Sequence, residues 1–200
     1  GVYLVRHHPG LEAGHALLAS VSLAKRETAM AGLLLRRSKV AGVAGPSLER
    51  ARGQWLEGRD LVGDALMVLR EATERYPDDL GLQLELGRVS LLLEDYARAL
   101  TTYEKILRKY PSHVDATLGA AVACRGMGNF TRADELYVSL GNEDSGRPQV
   151  LWNRAVLLHR HLGRFEEAIE LYDALERVLP AQRPSVYAGL EEARRAARAG

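Results

Sequence analysis

A single cysteine, Cys124, is all the thiol chemistry in the 200 residues. That excludes an internal disulfide and a multi-cysteine zinc site. Charge of one sign is missing too: Lys+Arg is 27 and Asp+Glu is 26, a formal net charge of +1. No overall field therefore argues for nucleic acid or an anionic surface as partner. Long apolar runs are absent; triplets such as Leu33-Leu34-Leu35 and Leu91-Leu92-Leu93 fall far short of the ~18 residues of a membrane span. Outside residues 2–5 there is no strand pattern, and no glycine-rich phosphate loop follows a strand. The chain opens at Gly1 without a methionine, so the lack of a visible leader carries little weight. The compartment stays open between cytoplasm and periplasm. What is present is an ordinary globular balance, 46% hydrophobic and 26% charged.

The dominant feature is a repeat. Ala65, Ala99 and Ala133 stand 34 residues apart, and Ala168 follows after 35. Tyr103, Tyr137 and Tyr172 keep the same spacing, 34 and then 35. Pro77 and Pro111 are 34 apart with Pro180 in phase, and Gly53, Gly87 and Ala121 also repeat at 34. A period in this range marks a stack of supersecondary units. The one extra residue is assigned to the loop 141–148, whose Gly, Asn, Asp and Ser are loop chemistry.

Each unit reads as two helices. In residues 80–113, Leu82, Leu86, Val89 and Leu93 lie on one helical face. Asp95 is a natural N-cap for a second helix carrying Tyr96, Ala99, Leu100, Tyr103, Ile106 and Leu107. Pro111 closes the unit, since proline cannot continue a helix. Gly87 and Ala99 sit where the two helices cross, and a larger side chain there would cost ~1–3 kcal/mol of overpacking.

These residues resemble the tetratricopeptide repeat (TPR) family. The fullest unit runs Trp152, Asn153 and Ala155, then Gly163, Phe165 and Ala168, then Tyr172 and Pro180. Unit 80–113 is nearly as complete, and unit 114–148 carries Ala121, Gly128, Phe130, Ala133 and Tyr137 without the closing proline. Unit 46–79 is degenerate, with Val62 and Leu69 where aromatics belong. The resemblance implies an all-α, right-handed α-solenoid of TPR helix-turn-helix repeats. Its array spans 46–180, in units of about 46–79, 80–113, 114–148 and 149–180. A capping helix over 181–200, opened by Pro184, shows Glu191, Glu192, Arg194, Arg195 and Arg198 on its outer face.

Residues 1–45 do not repeat the pattern clearly. The stretch 11–35 is Ala/Leu-rich and helical, as one long helix or a pair, and 41–46 reads as a linker broken by Gly42, Gly45 and Pro46. Six cations against Glu12 and Glu27 give this segment +4. It reads first as a degenerate repeat capping the stack, and second as a basic helix that touches a membrane or an acidic partner.

Chemistry is sparse. The opening Val2-Tyr3-Leu4-Val5-Arg6-His7-His8 is similar to that of histidine phosphatases, but His8 replaces the glycine and the helical remainder offers no α/β scaffold. His7, His8, His15, His113, His159 and His161 include no metal-binding helical pair. Cys124 reads as a small core residue. No catalytic residue, metal ligand or cofactor is assigned, and the chain reads as a non-enzyme.

By the same resemblance, the first helix of each unit lines a concave groove. The groove-facing positions are then Leu84, Arg88 and Leu91; Leu118, Val122 and Arg125; and Asn153, Leu157 and Arg160, with Arg50, Gln54 and Glu57 in the degenerate unit. Leucines would take apolar anchors of a peptide or helix, and Arg88, Arg125 and Arg160 would pair its carboxylates. The pairs Leu84/Arg88, Leu118/Val122 and Asn153/Leu157 lack the Lys/Asn clamp of chaperone-tail receptors in this family. The expected function is a protein-binding adaptor or scaffold within a multiprotein complex, bacterial by residue usage, in an envelope, secretion or motility system by family analogy. The alternatives are a self-assembling module with a second copy as partner, and the regulatory part of a longer enzyme.

Overall fold

The structure is a computed structural model that describes residues 10–144, 148–178 and 184–199. The segment 2–8, residues 145–147 of the loop and Pro180 lie outside them. Among the described residues there are eleven α-helices and no strand. They are α1 (Glu12–Ala24), α2 (Thr28–Val40), α3 (Pro46–Glu57), α4 (Val62–Arg75), α5 (Leu80–Leu92), α6 (Tyr96–Lys109), α7 (Val114–Gly126), α8 (Phe130–Asp144), α9 (Pro148–Leu157), α10 (Phe165–Val178) and α11 (Pro184–Ala199). A π-helical turn, Leu158–Leu162, prolongs α9.

Local chemistry sets the helix starts. Asp79 accepts from the Leu82 amide at 2.8 Å and caps α5. Asp95 accepts from the Arg98 amide at 3.2 Å, and His113 caps α7 through the Ala116 amide. Within a helix pair, the turn places one residue in the left-handed region: Arg26, Asp60, Glu94, Gly128 and Gly163 have φ of 60, 63, 57, 78 and 66°. Their spacing is 34, 34, 34 and 35, so the turn between α1 and α2 is built like the others although Arg26 is no turn residue.

The chain forms two compact units, Gly1–Thr102 and Tyr103–Gly200. In the first, α1 packs on α2 and α3, α3 on α4 and α5, and α4 on α5. Each second helix thus wedges between its own first helix and the next one. Ala65, Leu69, Ala72, Leu82, Leu86 and Val89 form one core cluster, and Ala16, Ala19, Leu35, Leu48 and Ala51 another. The stretch 41–46, expected as a linker, is pinned: Val43 packs on that second cluster. The Glu12 carboxylate also accepts from the Ser47 and Leu48 amides at 2.8 and 3.1 Å, capping α3 from another helix.

In the second unit α7 packs on α8 and α9, α8 on α9, α9 on α10, and α10 on α11. Here the small residues show their purpose. A Cβ on Gly119 would run into the Tyr103 ring, and one on Gly189 would meet Tyr172 at 2.8 Å. The phenol ends of these aromatics therefore close on backbone that carries no side chain. Asp134, nearly buried, accepts from Arg154 and Arg164 at 2.7 and 2.5 Å and so ties α8 to α9 and to the turn that leads into α10. Cys124 has no exposed surface and burial pushes its thiol pKa up, as a core residue requires.

Candidate partner-binding surface

On the first unit, Leu84, Arg88 and Leu91 of α5 are all half-buried. Arg88 is not free to take a ligand carboxylate. It donates to Glu57 of α3 at 2.9 Å, and to Glu85 at 3.2 and 2.8 Å. Its hydrogen bonds to Glu57, then to Glu85, outweigh burial and lift its already high pKa further. One guanidinium facing two carboxylates leaves this patch with an anionic surplus.

On the second unit, Leu118, Val122 and Arg125 of α7 are half-buried. Arg125 has no carboxylate partner among the described residues. Asn153 is half-buried, whereas Leu157 is 0% exposed and belongs to the core. Arg160 is 61% exposed and meets Glu192 of α11 at 3.4 Å.

Leu157 corrects the expected register of the last pair. The fully buried positions Val89 and Ser90 of α5 recur 34 residues on as Ala123 and Cys124, and 34 further on as Leu157 and Leu158. Ala121 and Ala155 also keep 34. Only beyond the π turn does the spacing become 35, from Gly128 to Gly163, Phe130 to Phe165 and Tyr137 to Tyr172. The extra residue thus lies within the π turn, not in the loop 141–148. A π turn is how a helix absorbs one residue without breaking. The counterparts of Leu118 and Val122 are therefore Trp152 and Val156, both half-buried, rather than Asn153 and Leu157.

The same turn shapes a cavity. Its wider bonding, with the Gly163 amide reaching the Leu158 carbonyl, carries the line Trp152, Val156 on to Arg160. These three, with Tyr172 below and Ala188 and Gly189 of α11 opposite, line a cavity of about 350 Å³. Trp152 and Tyr172 meet edge-to-face, ring centroids 5.8 Å apart at 69°. Burial raises the Tyr172 pKa, with Arg160 pulling the other way. His159 and His161 part company, as their spacing requires. His161 stacks on Phe130 at 4.3 Å, and His159 packs edge-on to Phe165 and Tyr172. Burial holds the His159 pKa below its ordinary value.

Two tetratricopeptide repeat family models match the sequence, over residues 48–114 and 90–157, together more than half of it. The chain belongs to the tetratricopeptide repeat family. The second match ends at the last residue before the π turn, where the TPR period breaks. Solved TPR structures share the fold at low identity. A TPR protein from Parabacteroides merdae is 14% identical with a TM-score of 0.77, covering 94% of this chain and 73% of its own. MamA from Desulfovibrio magneticus is 15% identical at 0.74, covering 86% and 96%. YrrB, a TPR protein with an unusual peptide-binding site, is 15% identical at 0.71, covering 98% and 97%. No curated protein matches the sequence significantly. Among the described residues no helix is long and apolar enough to cross a membrane.

Proposed function

We propose that this chain is an adaptor that holds a peptide or helix of a partner protein on the first-helix face of its repeats. The supporting observation is the surface of the second unit. Leu118, Val122, Trp152 and Val156 offer half-buried apolar area beside Arg125, which has no carboxylate partner among the described residues, and Arg160, which has a weak one. Apolar anchors flanked by carboxylates are the matching chemistry. The peptide site of YrrB is a precedent within the fold. The chain acts by binding, without catalysis or cofactor, as one part of a multiprotein complex such as an envelope, secretion or motility machine.

Of the expected arginine row, Arg88 is occupied by its own carboxylates. Recognition of acidic segments therefore rests on Arg125 and Arg160. The experiment is capture from native lysate by immobilised wild type and by Val122→Glu/Val156→Glu, with circular dichroism to establish that the variant is folded. A partner retained by the first and lost by the second supports the reading. Equal recovery sends the search to other faces. A mass that rises with concentration in light scattering, and falls in the same variant, would make the partner a second copy.

A further inference from the structure

The cavity at the π turn differs from the open helix face around it. It is lined by α9 and its π turn, α10 and α11, and it lies wholly within the second unit. At about 350 Å³ it sits at the low end of ligand pockets, which run from ~300 to ~1,000 Å³. That is room for one large side chain, not for a cofactor. Its walls are apolar and aromatic, with one charged group, Arg160, at the rim. We infer that this cavity is the anchor subsite of the partner-binding surface: it takes one aromatic side chain of an acidic segment, and Arg160 takes the neighbouring carboxylate.

The inference rests on the adaptor reading and adds to it the residue class that docks. Three features of the cavity point the same way. Trp152, half-buried, lines the cavity with Tyr172 packed edge-to-face behind it, and an inserted ring packs on that aromatic wall. Gly189 and Ala188 leave the opposite wall without bulk. The only carboxylate paired with Arg160 among the described residues is Glu192, 49% exposed and 3.4 Å away. An exposed pair of that kind contributes little, so a ligand carboxylate displaces it at small cost. Carboxylates rather than cations fit, because Arg125, on the first helix of the preceding pair, has no carboxylate partner among the described residues. The π turn carries Arg160 at the cavity. π turns inside α-helices recur at functional sites.

The chain has two tryptophans, so a Trp55→Phe background leaves Trp152 as an emission probe in the cavity wall. The ligand is an acetylated, amidated heptapeptide with a central phenylalanine between two glutamates. The expected result is a saturable change in Trp152 emission. Alanine in place of the phenylalanine weakens binding about tenfold or more. Ala188→Phe, an exposed position whose new ring plugs the cavity, abolishes the emission change. Arg160→Gln weakens binding several-fold and removes most of its salt dependence. Leu118→Glu, outside the cavity, tests the wider surface. Binding lost with Leu118→Glu but kept with Ala188→Phe overturns the cavity while leaving the adaptor reading standing. Binding lost with Ala188→Phe but indifferent to Leu118→Glu supports the cavity as a site independent of the rest. No saturable change up to millimolar peptide overturns the inference.

Discussion

Replacing Leu157 by alanine removes a side chain with no exposed surface from the junction of α9 and its π turn. The loss of three carbon groups forfeits ~2.4 kcal/mol of transfer free energy at ~0.8 per group. A residual cavity adds to that, giving ~3 kcal/mol within the ~2–5 range for buried leucines. For a chain of this size each kcal/mol shifts the midpoint by ~2–4 °C, so a drop of about 6–12 °C is expected. Leu118, half-buried one repeat earlier, loses about half the transfer term and no cavity term, so Leu118→Ala costs about 1 kcal/mol. Repeat arrays unfold by units. The assay is therefore calorimetry of both variants, with amide exchange to place the loss in the second unit. In the peptide titration the order reverses: Leu118→Ala weakens binding and Leu157→Ala, measured well below its midpoint, does not. Equal destabilisation by the two, or a larger effect from Leu118→Ala, would refute the register derived from burial.

Four further outcomes follow from the geometry. Gly119→Ala drives a methyl into the Tyr103 ring and costs ~1–3 kcal/mol, read as a lower midpoint in urea at unchanged slope. Asp134→Ala leaves Arg154 and Arg164 without their shared acceptor on α8, a loss of about 2 kcal/mol visible in the same titration. Glu94→Gly relieves a left-handed φ of 57° on an exposed residue and raises stability by ~0.5–1 kcal/mol, since glycine's extra unfolded freedom offsets only part of the relief. His159, whose folded pKa is depressed, binds fewer protons folded than unfolded as pH falls through the ordinary histidine value of about 6.5. Stability therefore declines from that value down to the folded pKa and levels off below it. His159→Gln flattens that part of the midpoint-against-pH curve; an unchanged slope would assign it to another group.

Much of the fold was readable because a 34-residue period leaves landmarks. The alanines and tyrosines of the second helices, and Asp95 as a cap, mark helix pairs without any coordinates. Residues 12–40 were harder. Their turn uses Arg26 in the left-handed position, and arginine gives no turn signal. The extra residue is hard to place from sequence for a definable reason. Landmarks on second helices locate an insertion only between Tyr137 and Phe165, and the loop at 141–148 has the more obvious composition. Ala121 and Ala155, 34 apart on first helices, would have moved it downstream. Placing the extra residue in the loop puts two of the last unit's three groove positions one residue late, at Asn153 and Leu157 rather than Trp152 and Val156. The pairing of Arg88 with Glu57 was half legible, since both were assigned to the same face. Whether they meet depends on helix spacing that sequence does not carry.

The bond between Glu12 and the start of α3 concerns what a truncated chain would look like. Helix dipoles attract anions at their N-termini, and here that anion is lent by a helix that begins 34 residues earlier. Cutting the chain at Pro46, where composition suggests a boundary, would leave two amides bare and uncover Leu48, Ala51 and Trp55 together. The segment that looks most dispensable in the sequence is thus the lid of the core beside it, and any shortened version of this protein should begin upstream of Glu12.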